Sequence, residues 1–82
     1  MITVLYFAAV RDLVGTDQER LELPQGVGTI AALGAHLSHL HPNLEGRLAT
    51  VRFARNEDFA LATDSIADGD TIALIPPVAG GQ

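Results

Sequence analysis

Cysteine and lysine are both absent from these 82 residues. Without cysteine there is no disulfide, no thiolate nucleophile, no cysteine metal ligand and no side chain to carry a persulfide. Without lysine there is no amine for a Schiff base and none to accept a transferred group. All five basic residues are arginines: Arg11, Arg20, Arg47, Arg52 and Arg55. Positive charge is scarce overall, and the formal net charge of -5 repels phosphate backbones and anionic lipid surfaces, so nucleic acid and membrane partners are disfavoured. Long apolar runs are also missing. None approaches the ~20 residues that span a bilayer, and Met1 to Phe7 has neither a basic leader nor a small-residue cleavage site, so a cytoplasmic location is expected.

What the chain does have is core-forming sequence. Hydrophobic residues make up 48% of it and charged residues 18%, which is too apolar for a disordered segment. The length allows one small domain that buries roughly 60 to 65% of its unfolded surface.

Local patterns give alternating element types. Ile2 to Ala8 is a run of strand formers with apolar side chains on both faces, which predicts a central strand covered on both sides. A short helical turn over Val10 to Val14 is stopped by Gly15. Gln18 to Leu23 alternates Glu19, Leu21 and Leu23 with Arg20 and Glu22, the pattern of a half-exposed strand, and Pro24 and Gly26 end it. Thr29 is the expected N-cap of the main helix, in which Ile30, Leu33, Leu37 and Leu40 make one apolar stripe before Pro42. Thr50 to Ala54 and Phe59 to Ala62 flank the polar turn Arg55-Asn56-Glu57-Asp58 and predict a hairpin. Ala67-Asp68-Gly69-Asp70 is a turn, and Thr71 to Ile75 is a last strand cut off by Pro76 and Pro77.

That order fits an α+β fold, a mixed sheet of about five strands with one main helix across one face, the β-grasp or ubiquitin-like arrangement. In it the first and last strands lie side by side at the centre. A β-grasp domain over residues 1–77 is therefore expected to present residues 78–82 as a flexible Gly-Gly tail at the rim of the sheet. Pro76 and Pro77 restrict φ at its root and aim it.

Side-chain chemistry offers little else. His36, His39 and His41 cluster near the helix end, but His41 lies at a different angle from the other two and no cysteine adds a ligand, so they read as favourable charges at a helix C-terminus and no metal site is expected. Ser38 and Ser65 lack a nucleophile elbow. Asp68 and Asp70 suit a turn, Glu57 and Asp58 a solvated hairpin tip, and Gly15, Gly26 and Gly28 lack phosphate-loop spacing. Gly34 inside the helix costs about 1 kcal/mol relative to alanine, which predicts a close approach of helix to sheet.

Three stretches together, VLYFAAVRDLVGTD, FARNEDFA and DGDTIALIPPVAGG, resemble the small subunit of molybdopterin synthase, a ubiquitin-like sulfur carrier of molybdenum cofactor biosynthesis. The likeness runs nearly the full length and is weakest from Gln18 to Leu48. It implies that the carboxylate of Gly81 is adenylated by a ubiquitin-activating-like partner enzyme that uses ATP, is converted to a thiocarboxylate, and donates sulfur to a cyclic pyranopterin precursor held by the large subunit. The chain itself would bind no cofactor and would not be catalytic alone. The absence of cysteine agrees, because the sulfur would sit on the main chain. Gly80 and Gly81 lack the Cβ that would block a narrow channel.

By the same resemblance Pro76, Pro77, Val78, Ala79 and Gly80 form the partner-binding tail, and Phe7, Leu74 and Ile75 match the partner-facing surface. Leu74 and Ile75 stand where relatives often carry phenylalanine, and for either alone the plainer reading is an ordinary core residue, because one of each neighbouring pair in a strand faces inward, whereas Phe7 reads equally well both ways. Gln82 departs from the pattern, since working relatives end at the second glycine. It is trimmed in use, or it is an added residue, or it marks a relative that has lost the role. A thiamine-type sulfur carrier and a non-catalytic ubiquitin-like binding module with an inert tail are the alternative readings.

Overall fold

A computed structural model describes residues 1–77 of the chain. Strand β1 spans Ile2–Tyr6, and helix α1 (Ala8–Val14) follows almost at once. Gly15 ends α1 with φ of 94°, a left-handed value that glycine adopts without steric cost, and its N–H bonds back to Arg11 O at 2.8 Å. Strand β2 (Gln18–Leu21) then returns antiparallel to β1.

Helix α2 spans Ile30–Leu40. The Thr29 hydroxyl accepts from the Ala32 N–H at 3.2 Å, satisfying one of the otherwise unpaired first-turn donors. The helix carries the chain across one face of the sheet to its far side. Two single turns of 3-10 helix, Pro42–Leu44 and Leu48–Thr50, lead into β3 (Arg52–Arg55), which makes a hairpin with β4 (Asp58–Ala60). Strand β5 (Thr71–Ile75) completes a five-stranded sheet of order β2-β1-β5-β3-β4. β5 runs parallel to β1 and antiparallel to β3, so the first and last strands are central neighbours, as expected of a β-grasp.

The core lies between α2 and one face of the sheet. Ile2, Val4 and Tyr6 of β1 alternate toward the helix, as do Ile72 and Leu74 of β5, and all five are buried. They meet Ile30, Leu33 and Leu37 of α2, with Val10, Leu44 and Ile66 closing the ends. Each such side chain contributes about 1.5 to 3 kcal/mol on leaving water. Leu40, the expected last member of the stripe, stays 43% exposed. Among the described residues no helix is long and apolar enough to cross a membrane.

Three expectations need correction. β1 is covered by the helical layer on one side only, and its Thr3 and Leu5 are half-buried on the other. The hairpin strands are shorter than predicted, with a two-residue turn. Asn56 and Glu57 have φ of 50° and 77°, the doubly left-handed backbone that matches strand twist. β4 ends early because the following loop serves the helix: Ala62 O accepts from Ala31 N–H at 2.9 Å, and Asp64 O from Ile30 N–H at 3.0 Å. Finally, Gly34 does not mark a close approach. A Cβ there would meet Phe53 Cζ at 3.6 Å and Leu48 Cδ1 at 3.8 Å, ordinary packing distances, beside a groove of about 620 Å³ between α2 and the β3–β4 hairpin.

Candidate functional site

Strand alternation fixes what the uncovered face of the sheet displays. Pairing places Leu5 beside Ala73, Ala73 beside Ala54, and Ala54 beside Phe59, one row across four strands. A second row sets Arg20 beside Thr3 and Thr3 beside Thr71, and at the other end Ile75 lies beside Arg52. Phe7, immediately after β1, keeps the chain pinned there: its N–H donates to Leu74 O at 3.3 Å. The next residue, Ala8, has φ of 49°, so the backbone turns sharply into α1 and leaves the Phe7 side chain 47% exposed.

Phe7, Leu5, Ala73, Ile75, Ala54 and Phe59 contribute to a shallow depression of about 550 Å³, with Asn56, Glu57 and Thr71 at one end. An apolar depression on the sheet face that no helix among the described residues covers is a surface suited to a protein partner. Phe59 is 66% exposed, and the Arg52 guanidinium lies over its ring at 5.1 Å from the centroid. Pro76 and Pro77 follow Ile75 directly, so the root of the tail stands at the rim of this depression, one strand spacing from Arg52. Val78, Ala79, Gly80, Gly81 and Gln82 lie outside the described residues.

The structure separates two of the predicted surface residues. Ile75 is half-buried on the open face with Phe7, whereas Leu74 is fully buried against α2. Leu74 is therefore a core residue and not part of the surface, because consecutive strand residues point to opposite faces. Leu5, Ala54, Phe59, Ala73 and Arg52 belong to the face and were not singled out from sequence. The available signal was parity, since Leu5 and Ala73 lie two residues from Phe7 and Ile75.

A polar cluster closes the opposite side. The Tyr6 hydroxyl donates to Glu19 Oε2, which also lies 2.6 Å from His41 Nε2, and the two rings meet edge to face at 6.0 Å. Burial, then the bond to Glu19 and its charge, push the Tyr6 phenol far above its ordinary range. Tyr6 therefore stays a neutral donor, and the cluster ties β1, β2 and the end of α2 together.

A model of the ThiS family matches residues 4–81. The chain belongs to the ThiS family. Family relatives include the molybdopterin synthase sulfur carrier subunit of Chlamydomonas reinhardtii, 38% identical over 82 residues that cover 98% of each chain. The subunit of the same name from Escherichia coli is 36% identical, covering 99% of this chain and all of its own. SAMP1 from Haloferax volcanii has the same fold, with a TM-score of 0.85 at 28% identity and 98% of each chain covered. The fold also recurs in a complex of subunits 1 and 2 of the molybdopterin-converting factor from Helicobacter pylori, with a TM-score of 0.67 at 21% identity, covering 98% of this chain and 97% of that one. The β-grasp assignment thus stands on the fold, and the likeness to the small subunit of molybdopterin synthase on the sequence.

Proposed function

We propose that this chain is the sulfur carrier of a molybdopterin synthase. The observation that carries the reading is near-full-length similarity to curated sulfur carrier subunits, at 30 to 38% identity in relatives from bacteria, plants and animals. The geometry supports it, because the root of the tail stands beside an apolar face that no element among the described residues covers.

In this reading Gly81 supplies the reactive main-chain carboxylate once Gln82 is removed. A free carboxylate is a poor electrophile. The adenylating partner joins it to the AMP portion of ATP with release of pyrophosphate, and a sulfur nucleophile then attacks the acyl carbon, so the C–O bond to AMP breaks as the C–S bond forms. With a hydrosulfide-level nucleophile AMP is the leaving group, and loss of the remaining S–H proton leaves the thiocarboxylate. The large subunit takes the tail, where the thiocarboxylate sulfur bonds to the cyclic pyranopterin precursor and water cleaves the acyl C–S bond, returning the Gly81 carboxylate. Phe7 and Ile75 dock the open face on the partner, while Pro76, Pro77, Val78, Ala79 and Gly80 thread the tail into each partner in turn. In this reading the chain needs no cofactor or metal of its own, and ATP is used by the adenylating enzyme.

The test is intact mass after incubation with the adenylating enzyme, ATP and a sulfur donor, comparing the full chain with one ending at Gly81. The Gly81-ended chain is expected to exchange one oxygen for sulfur. Because the chain has no cysteine, alkylation reports the thiocarboxylate alone and separates it from oxidised Met1. If neither chain gains an alkylatable sulfur, the carrier reading fails.

A further inference from the structure

The uncovered face carries a charge pattern opposed to that of the whole chain. Ten acidic residues set the net charge at -5, yet none of them occupies an outward position within the five strands of that face. The only charged side chains at those positions are Arg20 of β2 and Arg52 of β3, both exposed. Glu57, in the β3–β4 turn and outside the strands, lines one end of the depression. Three strand spacings and four residues of rise separate the two arginines, which puts their backbones roughly 20 Å apart on a diagonal across the apolar rows.

Arg52 is the better placed of the two. It sits opposite Ile75, the last residue before the tail's root, and its guanidinium lies over the Phe59 ring at 5.1 Å from the centroid, a stacked geometry whose edge N–H donors meet no acceptor among the described residues and suit a planar one. A partner that covers this face desolvates the guanidinium, which is costly unless a carboxylate meets it. A chain that is otherwise anionic would also repel an acidic partner unless cations were gathered where the two meet.

We infer that the protein covering this face presents one carboxylate to Arg52, beside the root of the tail, and a second to Arg20 roughly 20 Å away, around an apolar centre that receives Phe7 and Ile75. The inference rests on the carrier reading above. It names the chemistry of the partner and assigns Arg52 as the residue that sets the tail's register on it.

The test is the association rate of this chain with the molybdopterin synthase large subunit at low and at high salt. Wild type is expected to associate more slowly as salt rises. At low salt Arg52→Glu should lower the rate at least about tenfold and flatten its salt dependence, with Arg52→Gln giving about threefold and Arg20→Glu an intermediate loss. Arg47→Glu, exposed but outside the sheet, should stay within about twofold. Circular dichroism confirms that each variant is folded. If the two face reversals associate at the wild-type rate, or if Arg47→Glu is slowed equally, the inference is overturned while the carrier reading stands. If wild type does not bind the large subunit at all, the carrier reading falls and takes the inference with it.

Discussion

Leu74 and Ile75 are neighbours in β5 and face opposite sides of the sheet, Leu74 into the core beneath α2 and Ile75 onto the open face one strand spacing from Arg52. This separates stability from docking at adjacent positions. Leu74→Ala should cost about 2 to 5 kcal/mol, the range for emptying a buried leucine site. Ile75→Ala should change stability by about 1 kcal/mol or less but weaken binding to the large subunit at least about tenfold. Chemical denaturation together with a binding titration checks both. Unchanged binding in folded Ile75→Ala would remove the open face from the interface.

Gly34→Ala should stabilise the chain. A methyl group at this buried helical position meets Phe53 and Leu48 at 3.6 and 3.8 Å, so it adds ordinary packing while removing the entropic cost of glycine. The expected gain is about 1 kcal/mol, read as a shift in the urea midpoint at constant slope. A loss of stability would mean that α2 cannot keep its distance from β3 once the methyl is present.

Features with a local cause were legible in the sequence. The stripe Ile30, Leu33, Leu37 and the Thr29 cap specify α2, and Thr71 to Ile75 bounded by a turn and two prolines specifies β5. The open face was harder to see, because apolar residues at successive positions of β1 look the same whether the second face meets another layer or a partner. The end of β4 was missed for a nonlocal reason. Bonds from Ile30 and Ala31 draw residues 62 and 64 toward α2, and nothing within the hairpin announces them. The Tyr6–Glu19–His41 cluster joins residues far apart in the chain, which spacing rules cannot bring together.

That cluster makes unequal predictions for its members. Glu19→Ala leaves the buried Tyr6 hydroxyl and His41 Nε2 without their shared acceptor, an unsatisfied state that costs about 1 to 3 kcal/mol. Tyr6→Phe removes a donor, and Glu19, 25% exposed in its side chain, is still reached by His41 and water, so the expected cost is about 1 kcal/mol or less. Thermal melts of the two variants rank them. If Tyr6→Phe proved the worse, the Tyr6 hydroxyl, and not the Glu19 acceptor, would be the member that holds the cluster together.

Asp70 gives a pH dependence whose sign follows from its partners. Its carboxylate accepts from Asn56 Nδ2 at 3.0 Å and from the Ala67 N–H at 2.9 Å. The Asn56 bond first, and the Ala67 bond second, hold its pKa below the ordinary value of 3.8. The folded chain therefore binds this proton less readily than the unfolded chain does. The resulting stability is fully present above the unfolded value and is lost as the pH falls through the folded one. Asp70→Asn keeps an acceptor oxygen but cannot ionise. Wild type should melt above this variant at neutral pH, and the gap should shrink below about pH 4. Melting the pair across that range isolates the ionisation, because the other acidic groups titrate in both chains and drop out of the difference. A gap independent of pH would assign the effect to neutral hydrogen-bond geometry in the 67–70 turn, since a charge-assisted bond must weaken once its acceptor is protonated.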